Sequence, residues 1–188
     1  KLSERIAINQ GTTIAVSPVD GSIFVAWREF ADTALDPNDP ATVHSILFAR
    51  STDGGKSFTK ATAIDAAVHP FDQGSTSVSF RTNAYPTMAV DGTGRIYVAW
   101  AARQYGAARP DAVTGDARIV MAISGDGGNT WAAPMVVEDD DNRPGHQVMP
   151  ALTIAAGKLM LVYYDFREDI SGVFERYVNE AQARFDLR

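Results

Sequence analysis

The sequence contains no cysteine, so neither a disulfide framework nor thiolate chemistry is open to it. It has no apolar run near the roughly 20 residues that carry a helix across a bilayer. Its opening, KLSERIAINQ, lacks the apolar core of a signal peptide, so any such signal is expected to be removed or to lie outside these residues. Basic residues are few and dispersed: 17 Lys and Arg against 23 Asp and Glu leave a net charge of −6. Binding along a phosphate backbone asks for a basic stripe, so no nucleic-acid partner is expected. Three histidines without close spacing make a poor zinc site. What remains is a chain of 188 residues, 45% hydrophobic, able to bury the core of one domain.

The informative feature is an internal repeat. STDGGKSF (51–58) and SGDGGNTW (124–131) share Ser-x-Asp-Gly-Gly-x-x-aromatic at an offset of 73, and IFVAW (23–27) and IYVAW (96–100) stand at the same offset. LMLVYY (159–164) reads as a third copy, ending 64 residues after Trp100. Trp27 to Ser51 and Trp100 to Ser124 are both 24 residues, so the extra length between repeats lies after the glycine-rich corner. Ahead of each copy comes another apolar stretch and a turn, TIAVSPVDGS, TMAVDGTGR and LTIAAGK. The apolar pairs lack a helical period and carry β-branched and aromatic residues between Gly, Pro, Asn and Asp. In the second unit four strands are expected, at about 86–90, 95–101, 117–124 and 133–138. Units of this kind repeated around an axis make an all-β partial propeller of four-stranded antiparallel blades, about two and a half here. One domain spans 1–188, with units at 9–65, 84–138 and, incomplete, 148–188.

The corner explains itself by turn geometry. Gly54, Gly55, Gly127 and Gly128 supply positive φ. Asp53 and Asp126 accept hydrogen bonds from turn amides, and Ser51 and Ser124 tie the start of the turn. Phe58 and Trp131 are expected to pack between sheets. Nothing here requires a catalytic carboxylate.

These residues resemble the Asp-box (BNR) repeats of sialidases and related propellers, a group that includes many non-enzymatic secreted and cell-surface bacterial proteins. The resemblance covers roughly residues 9–168. It implies an extracellular, periplasmic or cell-surface location, and a substrate or ligand face away from the Asp boxes. On that face fall the long segments 28–43, 66–85, 101–116, 139–149 and 165–181. Arg28, Arg103 and Arg167 follow the second strand of each unit, with Arg103 and Arg167 three residues after Trp100 and Tyr164. Sialidases hold a substrate carboxylate with three arginines, and guanidinium forks suit that task. They also use a Tyr–Glu pair and an Asp, for which Tyr105, Glu29, Glu168, Asp165 and Asp169 are the residues at hand. The family's Phe/Tyr-Arg-Ile-Pro signature is absent, so no catalytic role carries over. The structural alternative is a salt bridge from Arg167 to Asp165 or Glu168.

Other features read as surface. His69, His146 and His44 are expected at solvated positions. Asp139, Asp140 and Asp141 offer oxygen ligands for a surface Ca²⁺ but lack the alternating loop that such sites use; no other cofactor is implied. The tail has Phe174, Val178, Ala181 and Phe185 at helical spacing, as a loop helix or an insertion before a third strand. Applied to Tyr164, the 24-residue spacing puts a third corner at about Arg188. Three functions follow: a non-catalytic binding or scaffold module for a carbohydrate or protein ligand, part of a sialidase-type glycosidase, or a subunit that closes a ring by oligomerisation. Its neighbours would be remaining blades or further copies of the chain.

Overall fold

A computed structural model describes residues 7–31, 42–72, 82–105, 111–112, 115–138, 143–167 and 186–187. They form three antiparallel sheets. The first holds β1 (Asn9–Val16), β2 (Ile23–Glu29), β3 (His44–Ser51) and β4 (Thr62–Val68), in that order. The second holds β5 (Thr87–Val90), β6 (Ile96–Ala102), β7 (Arg118–Ser124) and β8 (Met135–Val136). The third has β9 (Gln147–Ala155), β10 (Lys158–Asp165) and, on the far side of β10, β11 (Asp186–Leu187). No helix among the described residues is long and apolar enough to cross a membrane.

The strands lie where the apolar pairs place them. β2 and β6 carry IFVAW and IYVAW, and their ends, Ile23 and Ile96, pair with Ser51 and Ser124 at the two corners. The fourth strand of the second sheet is shorter than 133–138, with Met135 and Val136 alone in the ladder. A short outer strand leaves little unpaired edge. Spacing breaks down in the third sheet. Ala102 pairs with Arg118 and Glu29 with Ser45, but Asp165 pairs with Asp186. The connection before the third strand is therefore five residues longer than in the first two sheets, and Arg188 lies outside the described residues. The tail at 174–185 lies outside the described residues.

One backbone contact fixes the true equivalence of the sheets. Phe30 N–H donates to the Ile8 carbonyl, Arg103 to His69 and Phe166 to His146, at 2.7 to 2.9 Å. Phe166, not Arg167, thus corresponds to Arg103. The register given by LMLVYY is off by one, because the β9–β10 hairpin is tight and β10 is irregular between Val162 and Tyr164. Tyr163 is the counterpart of Trp100.

Packing follows that alignment. Phe24, Ala26, Ile46 and Phe48 of the first sheet pack on Met88, Ile96, Val98 and Trp100 of the second. Ala99, Ala101 and Ile119 on the other side of the second sheet meet Leu152, Leu161 and Tyr163 of the third. Each large side chain so covered contributes about 1.5–3 kcal/mol. In β1 and along most of β9 residues alternate between more and less covered positions, so these first strands are not buried on both faces.

The corners close as their residues require. Ser51 Oγ donates to Asp53 and accepts from Gly55 N–H, while Asp53 accepts from Ser57 N–H and Oγ. Ser124, Asp126, Gly128 and Thr130 repeat this pattern. Gly54, Gly55, Gly127 and Gly128 have φ of 71 to 86°. Trp131 meets Phe48 edge-on at 5.1 Å, between the first two sheets. Phe58 packs with Val25, Trp27 and Ala49 on the other side of the first sheet. Arg50 reaches across to the Gly127 carbonyl at 3.0 Å.

Two glycines separate turn strain from packing. A Cβ on Gly54 meets nothing within 4 Å, whereas one on Gly128 runs into the Phe48 ring. Gly54→Ala should therefore cost only the positive-φ penalty, about 1–2 kcal/mol. Gly128→Ala should cost clearly more in the same urea titration. Equal losses would show that the corner does not pack on the neighbouring sheet.

Candidate functional site at the loop end of the sheets

At the end of the sheets away from the corners, the connections gather the chemistry-bearing side chains into three clusters. Arg28 leaves β2 fully buried and donates to both oxygens of Asp72 at 2.7 and 2.6 Å. It also donates to His44 Nδ1 at 2.9 Å and lies 4.1 Å over the Phe30 ring. Asp72 in turn accepts from Ala84 N–H, tying the β4–β5 connection to the first sheet.

The second cluster is a stack. Arg103 lies 5.1 Å over the ring of Phe71, and Phe71 stacks on His146 at 3.8 Å with ring planes 7° apart. His146 Nδ1 accepts from Ala117 N–H, so that nitrogen carries a lone pair and the ring proton sits on Nε2, 4.0 Å from buried Asp116. Arg118, also buried, donates to the carbonyls of Ala117, Arg143 and Gly145. Gly145 is irreplaceable on steric grounds: at φ 127° its Cβ would come within 2.6 Å of the Phe166 carbonyl and 2.8 Å of Arg167 Cα.

The third cluster is ionic. Arg167 donates from Nε and Nη2 to Asp165 at 2.6–3.0 Å, and Nη2 also sits 3.1 Å from Glu138. The Tyr163 hydroxyl hydrogen-bonds to Glu138. The Asp165 hydrogen bond, ahead of other causes, raises the Arg167 pKa and keeps it charged. Burial, then the Glu138 contact, raises that of Tyr163 and keeps its hydroxyl protonated.

The arginines named from sequence therefore share one end of the fold but not one pocket. Arg28 and Arg167 are buried in separate ion pairs, and Arg103 belongs to an aromatic stack. Of the two acids offered to Arg167, Asp165 makes the contact; Glu168, Asp169 and Asp139–Asp141 lie outside the described residues. Glu29 is buried at the end of β2. Tyr105 packs beside the first core layer, and burial raises its pKa. The histidines are not solvated: His69 and His146 are buried, and His44 is half-buried. Sequence reading missed Asp72, Asp116, Arg118 and the clustering of Glu138 with Tyr163. Their partners stand far away in the chain, and only the alternation of strand and connection brings them together. Gln104, between Arg103 and Tyr105, adopts φ 74°, a conformation that non-glycine residues rarely hold.

No family model and no curated protein matches the chain. Solved structures do. A Hadza microbial sialidase, Hz136, superposes over 86% of this chain and 33% of its own, with a TM-score of 0.58 at 16% identity. A protein of unknown function from Dyadobacter fermentans covers 85% of this chain and 47% of its own, at TM-score 0.53 and 17% identity. A Penicillium chrysogenum α-L-arabinanase complexed with arabinobiose covers 86% and 43%, at TM-score 0.50 and 18% identity. The three sheets are blades of a β-propeller. Identity at this level carries the fold and no activity. The chain spans between a third and a half of these structures. Within the propeller, the clusters sit at the blade ends opposite the corners, where connections are long.

Protonation should be read out as stability in two windows. Burial, followed by the Arg28 charge, lowers the His44 pKa from 6.5 to about 4. As the pH falls below 6.5 the unfolded chain takes up this proton first, so folded-state stability drops between about pH 6.5 and 4. Hydrogen bonds from Ser57 and Thr130 hold Asp53 and Asp126 at about 2, below the ordinary 3.8. Their contribution is complete above pH 3.8 and disappears as the pH falls through 2. Thermal melts from pH 7 to 2 should show both losses, and His44→Gln should shrink the first alone. An unchanged upper window in that variant would mean His44 is not held neutral.

Proposed function

We propose that the chain is a run of Asp-box blades in a non-catalytic binding or scaffold module of an extracytoplasmic protein. A carbohydrate or protein ligand is taken on the face opposite the Asp boxes. The observation that carries this reading is the state of the arginines. Arg28 and Arg167 spend their forks on Asp72, Asp165 and Glu138 inside the blades, and Arg103 sits over the Phe71 ring at 5.1 Å. A substrate carboxylate needs converging guanidinium groups that are not already neutralised. Removing buried arginines from such pairs leaves an uncompensated acid, an arrangement suited to holding loops rather than to exchanging ligands. The strained Gln104 backbone between Arg103 and Tyr105 supports a contact point on that face. The Asp-box assignment rests on the paired Ser-Asp-Gly-Gly corners, and the extracytoplasmic location on the resemblance they carry.

A sialidase-type glycosidase is favoured by one feature, the Tyr163–Glu138 hydrogen bond beside Arg167. Against it, Tyr163 is buried in the layer between the second and third blades.

A fluorogenic sialoside separates the two. The expected result is no turnover above the buffer rate across pH 4 to 8, in protein whose fold is verified by circular dichroism. Turnover that survives purification and falls at least 100-fold in Arg103→Ala or Tyr163→Phe would replace the binding module with the enzyme. For the binding reading, Gln104→Ala should weaken capture on a glycan or protein surface at least several-fold, while Lys56→Ala at the corner leaves it unchanged.

A further inference from the structure

Two of the three first strands carry a bulge at the same place. In β1 the ladder passes from the Gln10–Arg28 pair to Thr13–Ala26, so Gly11 and Thr12 both stand opposite Trp27. In β9 it passes from Val148–Tyr164 to Ala151–Val162, so Met149 and Pro150 both stand opposite Tyr163. Tyr85 and Pro86 hold the corresponding place in the second blade, just ahead of Thr87, the partner of Ala99. All three places lie at the loop end, where the first strands begin. Bulges re-aim side chains out of the ladder and are frequent beside ligand sites.

The three places adjoin one another. A Cβ on Gly11, which has φ 67°, would run into the Tyr85 ring, so that ring lies over the bulge of the preceding blade. The half-buried Tyr85 also donates its hydroxyl to Gln10 Oε1 at 2.6 Å. Leu152 N–H donates to Thr87 Oγ1 at 3.1 Å, which sets the first strands of the second and third blades side by side. Tyr85 stands two residues before that contact and Met149 three.

Met149 is the informative member. It holds φ 56°, a left-handed conformation that glycine would adopt without strain, and it is 42% exposed. Burial therefore does not offset the strain, and strain of this sort concentrates at ligand contacts. Gln104, the other strained residue of the loop end, follows β6, the strand paired with β5, and is also exposed.

The chemistry of the side chains selects the ligand. A phenol ring and a thioether offer apolar surface, and the Gln10 amide and the Tyr85 hydroxyl offer hydrogen bonds without charge. The neighbouring guanidinium groups are engaged by Asp72, Asp165, Glu138 and the Phe71 ring, and do not call for a carboxylate. A matching ligand has C–H faces and hydroxyls and no net charge. We infer that Gln10, Tyr85 and Met149 form a contact site for an uncharged sugar. This rests on the reading of the loop end as a binding face and narrows its ligand to neutral carbohydrate.

The test uses the full-length protein on an array of uncharged oligosaccharides printed beside sialylated forms of the same chains. Capture should favour the uncharged set and persist at high salt, where ionic contacts are screened. Met149→Gly should weaken capture roughly tenfold while its urea midpoint stays level or rises, because glycine relieves the backbone. Tyr85→Ala should weaken capture by at least as much, and Lys56→Ala should leave it unchanged. A merely structural Met149 would lose stability and capture together, and that result would overturn the site. So would preference for the sialylated set, or capture that ignores Met149→Gly. Capture of a protein ligand and of no glycan would overturn the sugar and leave the binding face standing. Turnover of the fluorogenic sialoside would instead remove the binding reading and this site with it.

Discussion

A sheet of four short strands has two faces and too little width to hide either, so each blade depends on apolar contact with the next. That contact decides which residues can occupy the second strand of each blade. In β6, Ile96, Val98 and Trp100 serve one junction and Ala99 and Ala101 the other. Both faces are consumed by packing, and polar chemistry is driven to the strand ends. Large residues on one side and alanines on the other also let successive blades approach closely, as close packing requires.

The two ends of the blades then take different roles. At the corner end, hydrogen bonds from Ser and Asp to nearby amides satisfy a tight turn locally, and Trp131 and Arg50 attach it to the preceding blade. At the loop end, long connections are held by charges and rings drawn from distant parts of the chain. Arg28 binds the β4–β5 connection through Asp72, and Arg118 holds the one before β9 through two carbonyls. Buried guanidinium groups in ion pairs are expensive to uncouple, since losing one partner of such a pair costs about 3–5 kcal/mol.

The corners and the strand pairs were legible from sequence because their chemistry is local: Ser51, Asp53 and Gly55 meet within five residues. The register of the third blade was not. LMLVYY looks like a copy of IYVAW by its apolar content, yet the tighter β9–β10 hairpin and the irregularity near Val162 shift the faces by one residue. Composition is blind to that shift, because Tyr163 and Tyr164 are equally good counterparts of Trp100 until pairing is known. The arginines stand out in the sequence by following the second strand of each unit, but their partners were only partly visible. Asp165 stands two residues from Arg167 and could be guessed; Glu138 is 29 residues away and Asp72 is 44 from Arg28. Burial of the histidines was likewise hidden, since stacking of His146 on Phe71 joins two connections that share no sequence pattern.

Contact between blades is measured most directly by a double-mutant cycle across the first junction. Phe48 in β3 and Trp131 beyond the second corner meet edge-on at 5.1 Å. Phe48→Leu, Trp131→Leu and the double variant, unfolded in urea, should give a coupling energy of about 0.5–1.5 kcal/mol for an aromatic pair in contact. Additive losses, with coupling indistinguishable from zero, would contradict the stacking of the first two blades and the account built on it.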